Sequence, residues 1–302
     1  MTRCWRGTRK WGGRGQVGIR RRQRPVATIV KTVRRVLRPS AAARRRPRAL
    51  RASAAPTDFD PECLGIRTGA GIRIALIDSG INPAHSHVGP IAGGVAFSAG
   101  LKGEVLQTSD YRDTLGHGTA LAGILKFKAP EAALFAVKVF TDRLVTSIEI
   151  LEAALRWAIE QKMQVVNLSL GTANPEHRAR IARIAVRAKR AGTLIAASSP
   201  PEMTDMLPAA LDGVFGVAAS DECSWSEYRY IAEGPIHFRA HPSPRPLPGL
   251  DQSRNYRGHS FASAHLSALL ALLIQDRPEM GFAVARERLI KCAGMPLLLK
   301  LP

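Results

Sequence analysis

From Cys63 onward, short apolar runs of strand length alternate with longer segments whose apolar positions recur at helical spacing. Ile72 to Ile77 (Ile-Arg-Ile-Ala-Leu-Ile) is an apolar run that ends in Asp78-Ser79-Gly80, a strand running into a turn. Ala132 to Phe140, Gln164 to Leu168, Leu194 to Ala197 and Val214 to Ala218 are the other predicted strands. Ser147 to Lys162 places Ile148, Leu151, Leu155, Ala158 and Ile159 on one helical face, with Glu149, Glu152, Arg156 and Glu160 elsewhere. Asn174-Pro175-Glu176 supplies a helix start: a cap, a proline at the first position and an early acid. The Arg-rich helix that follows keeps Ile181, Ile184, Ala185 and Ala188 inward and ends near Gly192. Ser260 to Gln275 reads as a strongly apolar helix. Strands alternating with helices predict an α/β fold: a mostly parallel, doubly wound sheet with helices on both faces. A ligand site in such a sheet lies beyond the carboxyl ends of the strands.

Charge changes the picture only at the N-terminus. The 302 residues carry 44 Lys and Arg against 24 Asp and Glu, a net charge of +20. Residues 1–57 hold 18 of those bases and no acid, leaving 26 bases against 24 acids, or +2, in residues 58–302. A nearly neutral domain, 58–302, therefore sits behind a polycationic arm, 1–57. Arg20-Arg21-Arg22, Arg34-Arg35 and Arg44-Arg45-Arg46 repel one another and bury little, which predicts a disordered arm. A targeting peptide, a nucleic-acid-binding tail and sequence upstream of the working protein all fit it. Val26 to Val30 is its one apolar stretch, and Lys31 ends it before a secretory core can form. Nucleic acid is not an expected partner of the folded part; only the arm offers it contacts. No apolar run approaches the roughly 20 residues of a membrane-spanning helix.

Metal and disulfide signals are weak. Cys4, Cys63, Cys223 and Cys292 are scattered and read as free, mostly buried thiols, with a Cys63–Cys292 or Cys223–Cys292 bridge left open. His85-Ser86-His87 has a spacing that suits a metal but no third ligand nearby, so these are expected to be surface-loop histidines. No metal and no cofactor is expected. Asp110 and Asp113 read as a solvated loop, and Pro242, Pro244, Pro246 and Pro248 as an irregular surface loop.

Three segments carry chemistry. Asp78 stands at the carboxyl end of the first strand. Gly116-His117-Gly118-Thr119 flanks a histidine with glycines that free its imidazole of neighbouring bulk. Gly258-His259-Ser260-Phe261-Ala262-Ser263 places a serine at a helix N-terminus, beside unpaired N–H groups and the positive end of the helix dipole. Singly, each fits a turn aspartate, a packing histidine or an N-cap. Together they form an orienting carboxylate, a base and a nucleophile in the order Asp…His…Ser.

In that order, and in Ala75-Leu76-Ile77-Asp78-Ser79-Gly80, the chain resembles the subtilisin-like serine proteases across about residues 63–292. Val165-Val166-Asn167-Leu168-Ser169-Leu170-Gly171 and Leu207-Pro208-Ala209-Ala210 are similar to further family segments. The resemblance implies a serine endopeptidase acting on a protein or peptide substrate, with Asp78, His117 and Ser260 catalytic. It implies that Ser169, Leu170 and Gly171 pair with substrate backbone as an added strand. Departures also carry expectations. His259 and Ala264 replace a usual Thr and Pro, and Ser199 stands where the family's oxyanion-hole asparagine is expected. A serine there implies a slow protease; the competing expectation is that Ser263 or Asn167 fills the gap as donor, although Asn167 better suits the strand's own backbone. Neither the family's prosegment pattern nor its calcium-loop acids are evident. The competing readings are an impaired scaffold that binds peptides and a nucleic-acid-binding protein acting through its arm.

Overall fold

The computed structural model describes residues 67–294 together with one short strand, Thr28–Val30 (β1). Arg73–Asp78 (β2) shows what organises the rest, because its side chains alternate between two apolar cores. Ile74 and Leu76 face one core, Ala75 and Ile77 the other. Gly93–Ala99 (β3), Val105–Thr108 (β4), Ala133–Lys138 (β5), Val145–Ser147 (β6), Val165–Leu168 (β7), Leu194–Ser198 (β8), Val214–Ala219 (β9), Tyr228–Tyr230 (β10) and Phe238–Ala240 (β11) are the remaining strands described. All but β1 and β6 form one sheet, in the order β10-β11-β9-β8-β7-β2-β5-β3-β4. Every pairing from β11 through β3 is parallel, and the outermost strands, β10 and β4, pair antiparallel. This is the predicted doubly wound α/β sheet.

Among the described residues five helices cover it: His117–Lys128 (α1), Ile148–Glu160 (α2), Arg178–Arg190 (α3), His259–Ile274 (α4) and Phe282–Lys291 (α5). α1, α4 and α5 pack on the first face; α2 and α3 cover the second. Ser147 caps α2 by accepting the Ile150 N–H at 3.3 Å. Asn174 caps not α3 itself but a single 3₁₀ turn, Pro175–His177, that leads into it. From Ser260 to Ile274 every residue of α4 is buried, so this helix lies inside the protein rather than on it. Fully burying one of its leucines contributes roughly 1.5–3 kcal/mol, and burying the run fixes the depth of Ser260 at the helix start.

One segment of the arm is described: Thr28–Val30 pairs antiparallel with β6, Thr28 opposite Ser147 and Val30 opposite Val145. These residues belong to the arm's one apolar, β-prone stretch, where pairing needs backbone rather than a large core. The rest of 1–57 lies outside the described residues. Cys292 is disulfide-bonded, while Cys223 is a free, buried thiol, which excludes a Cys223–Cys292 bridge. The proline-rich stretch is irregular as predicted, but Pro242 and Pro244 are buried rather than on the surface.

Candidate active site

Asp78 ends β2 wholly buried, its Oδ1 accepting the Ser79 N–H at 2.8 Å. The same oxygen lies 2.7 Å from His117 Nδ1 in the first turn of α1. That approach depends on two glycines. Gly80 has φ of +101°, and a Cβ there would lie 2.3 Å from the Tyr111 carbonyl oxygen. A Cβ at Gly118 would lie 2.1 Å from the Gly80 carbonyl oxygen. With no side chain at either position, the turn after β2 closes onto the start of α1, and Ser79 Oγ accepts the Gly118 N–H at 2.9 Å.

Asp113 secures the other side of this junction. Its Oδ1 accepts the Leu115 and Gly116 N–H groups at 2.9 and 3.0 Å, and its Oδ2 accepts from Thr119 N and Oγ1 at 2.8 and 2.6 Å. Four bonds make it the bracket that presents α1, not the solvated side chain expected from sequence. An acid accepting the N–H two residues ahead forms an Asx-turn, and Asp113-Thr114-Leu115-Gly116 fits that signal. Asp110, by contrast, is exposed as expected; its bonds to Arg112 hold its carboxyl at a pKa of about 2.

Ser260 sits in the first turn of α4, only 9% exposed, where backbone N–H groups have no intrahelical acceptor. Ser260 and His117 line one cleft of about 330 Å³ together with His259, Tyr256 and Phe261. Phe261 packs on the His117 ring at 5.3 Å between centroids, and Tyr256 packs edge-on at 5.9 Å. A buried polar chain holds the helix start in register with the sheet. Asn167 Nδ2 donates to Ser169 Oγ at 2.9 Å, Ser267 Oγ donates to Asn167 Oδ1 at 3.0 Å, and Ser263 Oγ donates to the Ser260 carbonyl at 2.8 Å. Asn167 and Ser263 are therefore structural, not substitute donors to substrate.

The other predicted site residues are not among those lining this cleft. Ser199 is 1% exposed, and its hydroxyl proton goes to the carbonyl of Pro200 at 2.9 Å or of Met203 at 3.3 Å. The side chain pins its own loop. Ser169, Leu170 and Gly171 are buried, and a Cβ on Gly171 would lie 2.7 Å from the Leu207 carbonyl oxygen and 2.9 Å from Met206 Sδ. Thr172, next in the chain, exchanges both backbone hydrogen bonds with Leu207 at 2.9 Å. Met206 and Leu207 fill the space that a side chain at Gly171 would take. His85 and His87 lie in a loop with ring centroids 5.2 Å apart; among the described residues no group of three or more His, Cys, Asp or Glu is arranged to hold a metal. Among the same residues, no helix is long and apolar enough to cross a membrane.

A buried carboxylate against one imidazole nitrogen, with a serine in the same cleft at a helix N-terminus, is an arrangement suited to nucleophilic catalysis. Comparison with known proteins makes the class specific. Residues 69–299 match the Subtilase family, peptidase S8. The chain is 33% identical over 245 residues to the minor extracellular protease Epr of Bacillus subtilis (strain 168), covering 74% of this chain and 35% of that protein. It is 27% identical over 248 residues to subtilisin DY of Bacillus licheniformis, covering 74% of this chain and 84% of that one. Against the thermostable alkaline protease of Halalkalibacterium halodurans identity is 30% over 257 residues, 76% of this chain and 65% of that protein. The chain belongs to the subtilase family of serine endopeptidases.

Proposed function

We propose that this chain hydrolyses peptide bonds through Asp78, His117 and Ser260. The observation that carries the reading is the 2.7 Å contact between His117 Nδ1 and buried Asp78, with Ser260 in the same cleft. A carboxylate accepting at Nδ1 holds the neutral ring's hydrogen there, which leaves Nε2 as the base. Nε2 takes the Ser260 hydroxyl proton as Oγ attacks the substrate carbonyl, and Asp78 stabilises the imidazolium that results. The proton then passes to the leaving amine, and a water deacylates Ser260 by the same route. The Ser260 backbone N–H at the start of α4 supplies one oxyanion donor.

Ser199 is left out of this machinery, since its hydroxyl is spent on its own loop. Ser199→Ala is expected to keep turnover within about threefold while lowering stability by about 1 kcal/mol, the usual worth of one hydroxyl hydrogen bond. Steady-state kinetics and thermal unfolding on the same preparation check this. A loss of about 10² or more in kcat would instead make Ser199 the oxyanion donor that its alignment suggests.

Met206 lying over Gly171 favours one competing reading, a subtilase scaffold that binds peptides without turning them over. Incubating the full chain with an unfolded protein substrate separates the two. Cleavage that persists in a metal chelator and stops with a serine-directed phosphonate is the expected result; binding without cleavage would establish the scaffold. Salt-sensitive DNA retention, lost on removing residues 1–57, would point to the arm as a nucleic-acid tail.

A further inference from the structure

His259 precedes Ser260 and shares its cleft. The Ala219 N–H, at the end of β9, donates to His259 Nδ1 at 3.0 Å. A nitrogen that accepts a hydrogen bond carries no proton, so the neutral ring bears its hydrogen on Nε2. Burial holds the His259 pKa below the ordinary imidazole value, against the opposing pull of Glu202 and with a smaller push from Arg239, so the ring keeps this tautomer around neutrality. Among the described residues no protein acceptor meets Nε2. With the Nδ1 edge anchored to β9, the Nε2 edge is the one left for the cleft. We propose that His259 Nε2–H donates to the substrate carbonyl oxygen as Ser260 attacks it, acting as the second oxyanion donor of this chain.

The inference rests on the protease reading above. It answers a physical need: charge gathers on that oxygen in the transition state, and a donor must already be aimed there. A side chain tied to backbone at one end is fixed before substrate arrives. Ser199, with its proton committed to Pro200 or Met203, is not.

Two variants separate the two nitrogens. His259→Asn places an amide oxygen where Nδ1 accepts from Ala219 and removes the cleft donor. Its kcat on a peptide substrate should fall about 10²- to 10³-fold with KM within about threefold and the melting temperature nearly unchanged. His259→Gln reaches an amide NH₂ toward the Nε2 position and gives up the Ala219 bond. It should keep kcat within about tenfold and melt earlier. Unchanged turnover in His259→Asn, from a parent that does hydrolyse peptides, overturns the proposal alone; a parent that hydrolyses nothing overturns the protease reading together with it. Should neither variant fold, NMR of isotope-labelled histidine in the parent decides. The His259 Nε2-bound proton should shift downfield when a peptide boronic acid binds, and an unmoved signal overturns the assignment.

Discussion

Ser260→Ala is expected to abolish peptide hydrolysis, by on the order of 10⁶ in kcat, the scale of loss found in subtilisin itself. His117→Ala should cost nearly as much, and the double variant scarcely more than either, because nucleophile and base act as one unit. Folding should survive both changes. Ser260 anchors the helix start through its carbonyl, which takes the Ser263 hydroxyl at 2.8 Å and survives loss of the side chain. Additive losses, or activity retained in Ser260→Ala, would mean that the buried Asp78–His117 pair serves the fold rather than the chemistry. Kinetics of the three variants beside their thermal unfolding decide between these outcomes.

Lys128 is expected to make the protein more stable in alkali than at neutral pH. The side chain ends α1 fully buried, and its ammonium donates to the Trp225 carbonyl oxygen at 2.5 Å. Desolvation lowers its pKa from 10.5 to about 7. Between those values the unfolded chain binds a proton that the folded chain does not, so stability rises with pH across that window. At about 1.4 kcal/mol per unit, the rise amounts to roughly 3–5 kcal/mol. His265, buried nearby at 5.5 Å from the His241 ring, is held well below 6.5 by burial and by the Lys128 charge. It adds to the loss on the acid side, where the unfolded state takes up its proton first. Tyr228 acts oppositely: burial raises its pKa, so stability falls again once the unfolded phenol ionises above about pH 10. Lys128→Met should flatten the rise between pH 7 and 10 and stabilise the protein at pH 7 by about 2 kcal/mol, after allowing for the Trp225 carbonyl left unpaired. Chemical denaturation at a series of pH values measures both. An unchanged slope in Lys128→Met would show that the ammonium stays charged in the folded state.

The sheet's interior was legible because burial on both faces leaves long apolar runs, as in β2, β5, β7, β8 and β9. Its margins were not. β4 is exposed along its whole length, and β10 and β11 are three residues each, so their stability comes from pairing rather than from any pattern of their own. Asp78, His117 and Ser260 stood out because glycines and small residues mark where a side chain must be presented without crowding. What sequence position does not carry is direction. Ser199 sits at a telling place, yet its hydroxyl turns into its own loop. Asp113 reads as one more loop acid until its four bonds to the start of α1 are counted. His259 reads as a departure from a motif, and only the Ala219 N–H fixes which of its nitrogens holds the proton.

The most direct test of this account is to treat the full chain with a fluorophosphonate and locate the adduct by peptide mapping. A nucleophile activated by His117 predicts one adduct, on Ser260, lost when the protein is unfolded beforehand and absent from His117→Ala. No adduct, or one on another residue of the folded protein, would contradict the assignment of Ser260, His117 and Asp78 as a working catalytic unit.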